Sequence, residues 1–359
     1  MQRLRVGILG ATGMVGQRFV HLLKKHPWFE VVAVAASARS AGRTYADAVS
    51  GRWAMPEGIP DAVAALMVSQ VTEIDAIASQ VDFVFSALDM DKTAIRDLED
   101  AYAKAECPVV SNNSAHRWTP DVPMIIPEVN PEHLDIIDVQ RKRLGTEHGF
   151  VVVKPNCSIQ PYVPALDALA EFAPQEAVVC TYQAISGAGK TFESWPEMVD
   201  NIIPYIGGEE EKSEREPLKI WGEIVDGEIA NSATPQISAQ CVRVPASDGH
   251  MAAVSVRFAR KPSIDEILSC WESFSGRPQE LDLPSAPSPM LQYHEAADRP
   301  QTRLDRDYGA GMGVSLGRLR EDSLFDYKFV ALSHNTVRGA AGGAVLIAEL
   351  LHAERRLAR

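Results

Sequence analysis

The chain has 359 residues, 46% of them hydrophobic and 23% charged, with a formal net charge of −13. That length suits two domains, each able to bury its own core, in an ordinary globular protein. The acidic balance argues against nucleic acid or an anionic membrane as partner, the 5 cysteines without CxxC pairing fit a reducing cytosol, and no apolar run approaches the roughly 20 residues of a bilayer span, so a cytoplasmic protein is expected.

The first 150 residues alternate short apolar strands with helical patterns. Arg5–Leu9 reads as a strand, 15–25 as an amphipathic helix, Glu30–Ala35 as a second strand, and Phe83–Ser86 and Val109–Ser111 as two more. This rhythm implies a parallel sheet with helices on both faces. The basic residues Arg3 and Arg5 ahead of an apolar run imitate a leader peptide, but that run contains four glycines and is followed at once by Gln17 and Arg18, so a strand and its turn explain it better. Gly7 lies in the first strand, and Gly10, Gly13 and Gly16 follow it and open the first helix. Glycines there permit a tight turn and let a pyrophosphate approach the helix N-terminus, so dinucleotide binding is expected. About 20 residues on, where an acidic residue commonly meets the ribose of NAD, stand Ser37, Arg39 and Ser40. A guanidinium flanked by hydroxyls suits a 2′-phosphate and favours NADP.

Cys157 ends an apolar strand (150–153) and precedes a helical stretch, in Lys-Pro-Asn-Cys-Ser. A thiol at a helix N-terminus is expected to favour its thiolate, the form needed for acyl transfer. Cys107, Cys180, Cys241 and Cys270 lie in apolar patterns and read as inert core residues. Beyond Cys157 the texture changes to a helix over 165–172 and longer alternating strands at 176–184, 236–244, 250–259, 313–320 and 327–333, suited to a mostly antiparallel sheet with one face covered. Arg243 and His250 flank the turn 245–249, predicting a hairpin that turns a carboxylate-binding guanidinium and a proton-transferring imidazole toward one cavity. Ser186-Gly-Ala-Gly-Lys-Thr191 imitates the tail of a P-loop, but Ala184 stands where its first glycine belongs, which argues against a nucleoside triphosphate site. By default the acidic run 209–211 is a solvated face. The proline-rich segment 278–310 reads as a surface excursion, arm or lid, and 339–355 as a closing apolar helix.

These pieces together resemble the aspartate-β-semialdehyde dehydrogenases over nearly the whole chain. The resemblance is carried by Gly-Ala-Thr-Gly-Met-Val-Gly (10–16), Ser-Asn-Asn-Ser-Ala-His-Arg (111–117), Pro-Asn-Cys-Ser (155–158) and Gln-Ala-Ile-Ser-Gly-Ala-Gly (183–189). It continues in Gly-Gly-Glu-Glu-Glu-Lys (207–212), Arg-Val-Pro (243–245) with Gly-His (249–250), and His-Asn-Thr-Val-Arg-Gly-Ala (334–340). It implies an α/β fold with an N-terminal Rossmann-like parallel sheet and an α+β catalytic and dimerisation domain built on a mixed, mostly antiparallel sheet. The domains would be 1–153, completed by a C-terminal helix at 336–359, and 154–335.

The resemblance also implies roles. Cys157 would be the nucleophile, His250 the acid/base, and Gln183 would orient the acyl intermediate. Arg243 would hold the substrate carboxylate and Glu209, or Glu210 beside it, the amino group. Arg117, Asn156 and Lys212 would bind phosphate. Gly10, Thr12, Gly13, Met14, Val15, Ser37, Arg39, Ser40, Ser86, Ser186, Gly187 and Asn335 would line the NADP site, with no metal. Asp89 departs from the expected pattern by its charge.

The implied reaction is reversible NADP-dependent reductive dephosphorylation of β-aspartyl phosphate to aspartate β-semialdehyde, in biosynthesis of Lys, Thr, Met and Ile. It runs through a Cys157 thioester, with backbone N–H groups beside Cys157 as an oxyanion hole. The enzyme would be a cytoplasmic homodimer or homotetramer. An acyl-CoA reductase such as a malonyl-CoA reductase would keep the same thiol and hydride steps with another leaving group. N-acetyl-γ-glutamyl-phosphate reductase fits less well, since Glu209 to Lys212 and Arg243 favour a small substrate with a free amino group. A non-catalytic NADP sensor would be expected to lack at least one of Cys157, Gln183, Arg243 or His250, and all four are present.

Overall fold

The computed structural model describes residues 3–357; residues 1, 2, 358 and 359, which the expected domain limits include, lie outside the described residues. The first sheet contains β1 (Leu4–Leu9), β2 (Phe29–Ala36), β3 (Val68–Gln70), β4 (Phe83–Ser86), β5 (Val109–Ser111) and β6 (Val151–Val153). Its order is β3-β2-β1-β4-β5-β6 and every neighbouring pair is parallel. The strand order reverses between β1 and β4, and open α/β sheets bind ligands beyond the carboxyl ends of their strands at such a point. Strand β3 is a short edge strand that begins at the last residue of an apolar run, 62–68, and the sequence reading missed it.

The second sheet is built from β7 (Pro174–Gln183), β10 (Gln236–Arg243), β11 (His250–Phe258), β12 (Leu291–His294), β13 (Val314–Glu321) and β14 (Tyr327–Ser333), while β8 (Glu223–Val225) and β9 (Glu228–Ala230) make a separate small ribbon. The order β10-β7-β11-β14-β13-β12 has three antiparallel pairs inside and a parallel pair at each edge. The expected hairpin between β10 and β11 does not form. Strand β7 lies between them, parallel to β10 and antiparallel to β11, so the turn after Arg243 is a crossover. Strands β10 and β11 run antiparallel to each other, so a short turn still joins them, but it passes over β7; alternation in two successive strands does not reveal a third inserted between them.

The excursion 278–310 is no free arm: it supplies edge strand β12, and Ser285 donates to the buried Glu349 carboxylate. The closing helix runs Gly342–Ala353, preceded by a wide π-type turn, Val337–Ala341. Ala344, Val345, Leu346, Ile347 and Leu350 are buried in one apolar cluster with Val6, Ile8, Phe83, Phe85 and Val152 of the first sheet. Each of these Val, Leu, Ile and Phe side chains contributes roughly 1.5–3 kcal/mol by burial. The last helix is thus sealed to the first sheet, although the second sheet intervenes in sequence.

Candidate active site

The first loop is shaped by two glycines with different duties from a third. Gly10 has φ +81°, and a Cβ there would stand 2.2 Å from the Ala87 carbonyl oxygen; a Cβ on Gly16 would stand 2.3 Å from the Gly10 oxygen. These two let the loop and helix close on the sheet. A Cβ on Gly13 would meet only the Gly10 oxygen, at 3.5 Å. Gly13 caps the helix Met14–Leu23 without a side chain, so its open face and the first helical N–H groups suit an anion.

Beyond the carboxyl ends of β1 to β4 lies a cavity of about 480 Å³, lined among others by Gly10, Thr12, Gly13, Ser37, Arg39 and Asp89. Arg52 lines it too, a second cation that the sequence reading missed. Its only sequence signal is a Gly-Arg turn after a short helix. Its guanidinium donates to Ser40 Oγ at 3.4 Å, and Gln17 ties its carbonyl to that of Thr12. Ser40 and Ser86 are buried beside the cavity, Ser86 accepting from Asn113 at 2.9 Å. Val15 is half-buried. Met14 and Ser186 line a neighbouring cleft with Arg18, Lys190 and Asp248. Asn335 bridges that region, donating to Ser186 Oγ at 2.9 Å and accepting from the Gly249 amide at 2.8 Å.

The second sheet presents a row of polar residues at one edge. Arg243 pairs in register with Gln183, Met251 with Tyr182, and His250 with Ser333, so Arg243, Gln183 and His250 sit side by side at the ends of β10, β7 and β11. The Ala184 amide donates to His250 Nδ1 at 3.1 Å, and Arg243 donates to the Ala184 carbonyl at 2.7 Å. A Cβ on Gly187 would come within 3.0 Å of both the Arg243 guanidinium and the His250 ring. Guanidinium and imidazole therefore meet, as expected, but through β7 and its following turn.

Cys157 follows β6 across the interior. The expected α-helix N-terminus is absent there: Cys157–Ile159 is a single 3₁₀ turn, and the α-helix begins only at Val163. Burial pushes the Cys157 thiol up, Glu209 adds to this, and Lys154, Arg117 and Arg243 pull it back. The neighbouring amides are already engaged, Asn156 N–H with Glu216 at 2.6 Å and Ser158 N–H with the Asn156 side chain at 2.7 Å, so neither is left for an oxyanion.

The helix Glu209–Ile220 turns Glu209 and Glu210 inward, while Glu211 stays on the solvated face and pairs with Arg215. Glu209 accepts from Lys212 at 2.6 Å, Asn156 at 3.0 Å and Gln183 at 3.3 Å. Burial alone would raise its carboxyl, but Lys212 and these bonds hold it below the usual carboxylate range. Glu210 turns away and accepts from the Cys241 amide at 3.2 Å. Arg117 is held by Glu216 at 2.8 Å and donates to the Lys154 carbonyl at 3.1 Å. Glu216 and Lys154, both buried, were missed by sequence reasoning, and nothing in their local pattern marks them.

His250 is wholly buried. Burial first, then Arg243, lowers its pKa to about 3, so the ring is neutral at ordinary pH. With Nδ1 accepting from Ala184, the proton resides on Nε2, which is buried and has no partner among the described residues. That N–H is the donor the site offers to a reacting oxygen.

A strand-order reversal with a glycine-lined cavity, joined to a second sheet that presents Gln, Arg and His beside a thiol, defines a dinucleotide-dependent oxidoreductase. Residues 5–137 match the model of the semialdehyde dehydrogenase NAD-binding domain, and residues 164–338 that of the semialdehyde dehydrogenase dimerisation domain. The chain belongs to the semialdehyde dehydrogenase family and carries the family's dimerisation domain. It is 43% identical over 353 residues to an aspartate-semialdehyde dehydrogenase of Archaeoglobus fulgidus, covering 98% of this chain and 99% of the relative. It is 43% identical over 363 residues to that of Candida albicans, covering 98% of each. The crystal structure of the Candida albicans aspartate semialdehyde dehydrogenase with NADP superposes with TM-score 0.88 at 40% identity, covering 99% of this chain and 100% of that one. The structure of aspartate semialdehyde dehydrogenase II of Vibrio cholerae gives TM-score 0.75 at 26% identity, over 98% and 99% of the two chains. Among the described residues no helix is long and apolar enough to cross a membrane, and no cluster of three or more His, Cys, Asp or Glu is arranged for a metal.

Proposed function

We propose that this chain interconverts β-aspartyl phosphate and aspartate β-semialdehyde with NADP as cofactor. The observation that carries the reading is the row Gln183, Arg243, His250 facing Cys157, with Glu209 at its side: a nucleophile, an acid, a carboxylate anchor and an anionic anchor for an amino group in one site. The full-length likeness to aspartate-semialdehyde dehydrogenases supports the substrate.

The residues at the cofactor cavity fit NADP: Gly13 leaves room for a pyrophosphate, and Arg39 and Arg52 supply cations for a 2′-phosphate. NADPH, when bound, supplies the hydride. In the reductive direction the Cys157 sulfur attacks the acyl phosphate carbonyl, the C–O bond to phosphate breaks, and a thioester forms. Arg117, Asn156 and Lys212 face the departing phosphate, Arg243 holds the α-carboxylate and Gln183 orients the acyl group. The His250 Nε2–H donates to the oxygen that gains charge as the thioester is reduced, and recovers its proton as the carbonyl reforms and thiolate leaves.

Residues 1–153 with the C-terminal helix act as the cofactor domain and 154–335 as the catalytic domain. Val178 and Tyr182, exposed on the outer face of β7, support a homodimer or homotetramer closed through this sheet.

Cys157→Ser is expected to abolish turnover while NADP still binds; activity within about tenfold of the parent, ~1.4 kcal/mol of barrier, overturns the nucleophile. Oxidation of the semialdehyde is expected to saturate with phosphate. A requirement for coenzyme A with indifference to phosphate assigns an acyl-CoA substrate instead.

A further inference from the structure

We propose that Lys219 is a positioning residue of the phosphate site: it holds the loop 117–122 so that the Arg117 guanidinium stands toward the phosphate. The inference rests on the reading that Arg117 binds phosphate. Residues 112–123 form neither helix nor strand, so no periodic backbone pairing fixes where Arg117 stands. The Lys219 ammonium donates to the carbonyls of Arg117 at 2.8 Å, Thr119 at 2.9 Å and Val122 at 3.0 Å. The Arg117 and Val122 carbonyls have no other donor among the described residues. Three converging acceptors match the three N–H groups of an ammonium, which no other side chain carries on one atom. Lys219 is 2% exposed and forms no ion pair among the described residues. Burying that charge is costly, and the three bonds offset the cost only while all three are made.

The place of Lys219 in the chain connects this loop to the site. Lys212, Glu216 and Lys219 follow one another at helical spacing on Glu209–Ile220 and share one face. Glu216 takes the Arg117 guanidinium at 2.8 Å, and one turn later Lys219 takes the carbonyl of the same residue. Side chain and backbone of Arg117 are thus both tied to the helix that carries Lys212, and this sets the spacing between the two phosphate cations. A displacement of about 1 Å in such a group is enough to cost a large factor. The hold depends on a proton. The charged and titratable groups facing Lys219 are Asp121, itself held by Arg143, with Glu216 and His133. Burial lowers the Lys219 pKa to about 8, with Asp121 and then Glu216 pulling it back up. The neutral amine has two N–H groups and a lone pair, so one of the three carbonyls loses its donor and meets the lone pair instead.

The test is oxidation of the semialdehyde by the whole enzyme with phosphate varied, repeated across pH. Lys219→Met is expected to raise the phosphate KM at least about tenfold, while kcat at saturating phosphate and the KM for NADP change less than about twofold. Lys219→Gln, with two N–H groups in place of three, carries the test where the Met variant does not fold, with a smaller rise. In the parent the phosphate KM is expected to climb as pH passes about 8, and the Lys219 variants are expected to lack that inflection. The titrations of phosphate and of Lys212 are common to parent and variants. An unchanged phosphate KM in the folded variants, or an equal loss in kcat and every KM, marks a merely structural lysine and overturns the proposal. An inflection near pH 8 that survives in the variants overturns it too. Arg117→Leu tells the two levels apart. If it also leaves the phosphate KM unchanged, the phosphate reading fails; if it raises that KM while the Lys219 variants do not, only the positioning role fails.

Discussion

Replacing Arg117 by Leu tests phosphate binding and, in this structure, also breaks a buried ion pair. The Arg117 side chain is 7% exposed and that of Glu216 1%, with 2.8 Å between them. Glu216 uses its other oxygen for the Asn156 amide, so Arg117→Leu leaves a buried carboxylate with one neutral donor at the residue preceding the nucleophile. Removing one partner of such a pair costs about 3–5 kcal/mol, a large part of the roughly 5–15 kcal/mol that holds a domain folded. Glu216→Leu is expected to cost a similar amount, because the guanidinium then keeps only the Lys154 and Asn112 carbonyls as partners. The double Leu variant removes both charges together and is expected to be no less stable than either single one. Urea unfolding followed by tryptophan fluorescence, arranged as a double-mutant cycle, measures the coupling. The phosphate KM read alongside separates the two duties of Arg117: both Leu variants lacking the guanidinium bind phosphate poorly, whatever their stability. Glu216→Gln, which keeps the shape and leaves the guanidinium charge uncompensated, is expected to lower the phosphate KM. Single-variant costs that simply add, with no coupling, refute the ion-pair argument, and an unchanged phosphate KM in Arg117→Leu refutes the phosphate role.

Gly339→Ala drives a methyl group against Cys157 Cβ and is expected to lower kcat by at least about tenfold with NADP affinity nearly intact, which titration of cofactor binding checks. His250 titrates at about 3 when folded and near 6.5 when unfolded, so the unfolded chain takes up its proton first and stability falls as pH drops from about 6.5 toward 3; His250→Gln is expected to flatten that part of the urea midpoint against pH. Arg39→Ala is expected to raise the KM for NADP more than that for NAD, and Arg52→Ala likewise, since both cations line one cavity; equal changes for the two cofactors show that neither meets the 2′-phosphate.

The parallel sheet was legible because its signals are local: buried β-branched runs such as Val109–Ser111, and a glycine loop opening a helix, carry their meaning within a few residues. The same holds for Cys157, marked by the end of a strand. What the tertiary structure alone decided is charge and neighbourhood. The interposition of β7 between β10 and β11 is a pairing choice among strands far apart in sequence, and it changes how Arg243 and His250 meet. Glu209 and Glu210 are indistinguishable neighbours in the chain, and only the docking of their helix turns one toward Gln183 and the other toward the Cys241 backbone. The protonation of Cys157 and His250 follows from burial and from Glu209, Lys154 and Arg243, groups that no window of sequence places together. Residue type determines which chemistry a side chain is capable of; desolvation and the charges brought around it by folding determine the form in which it stands ready.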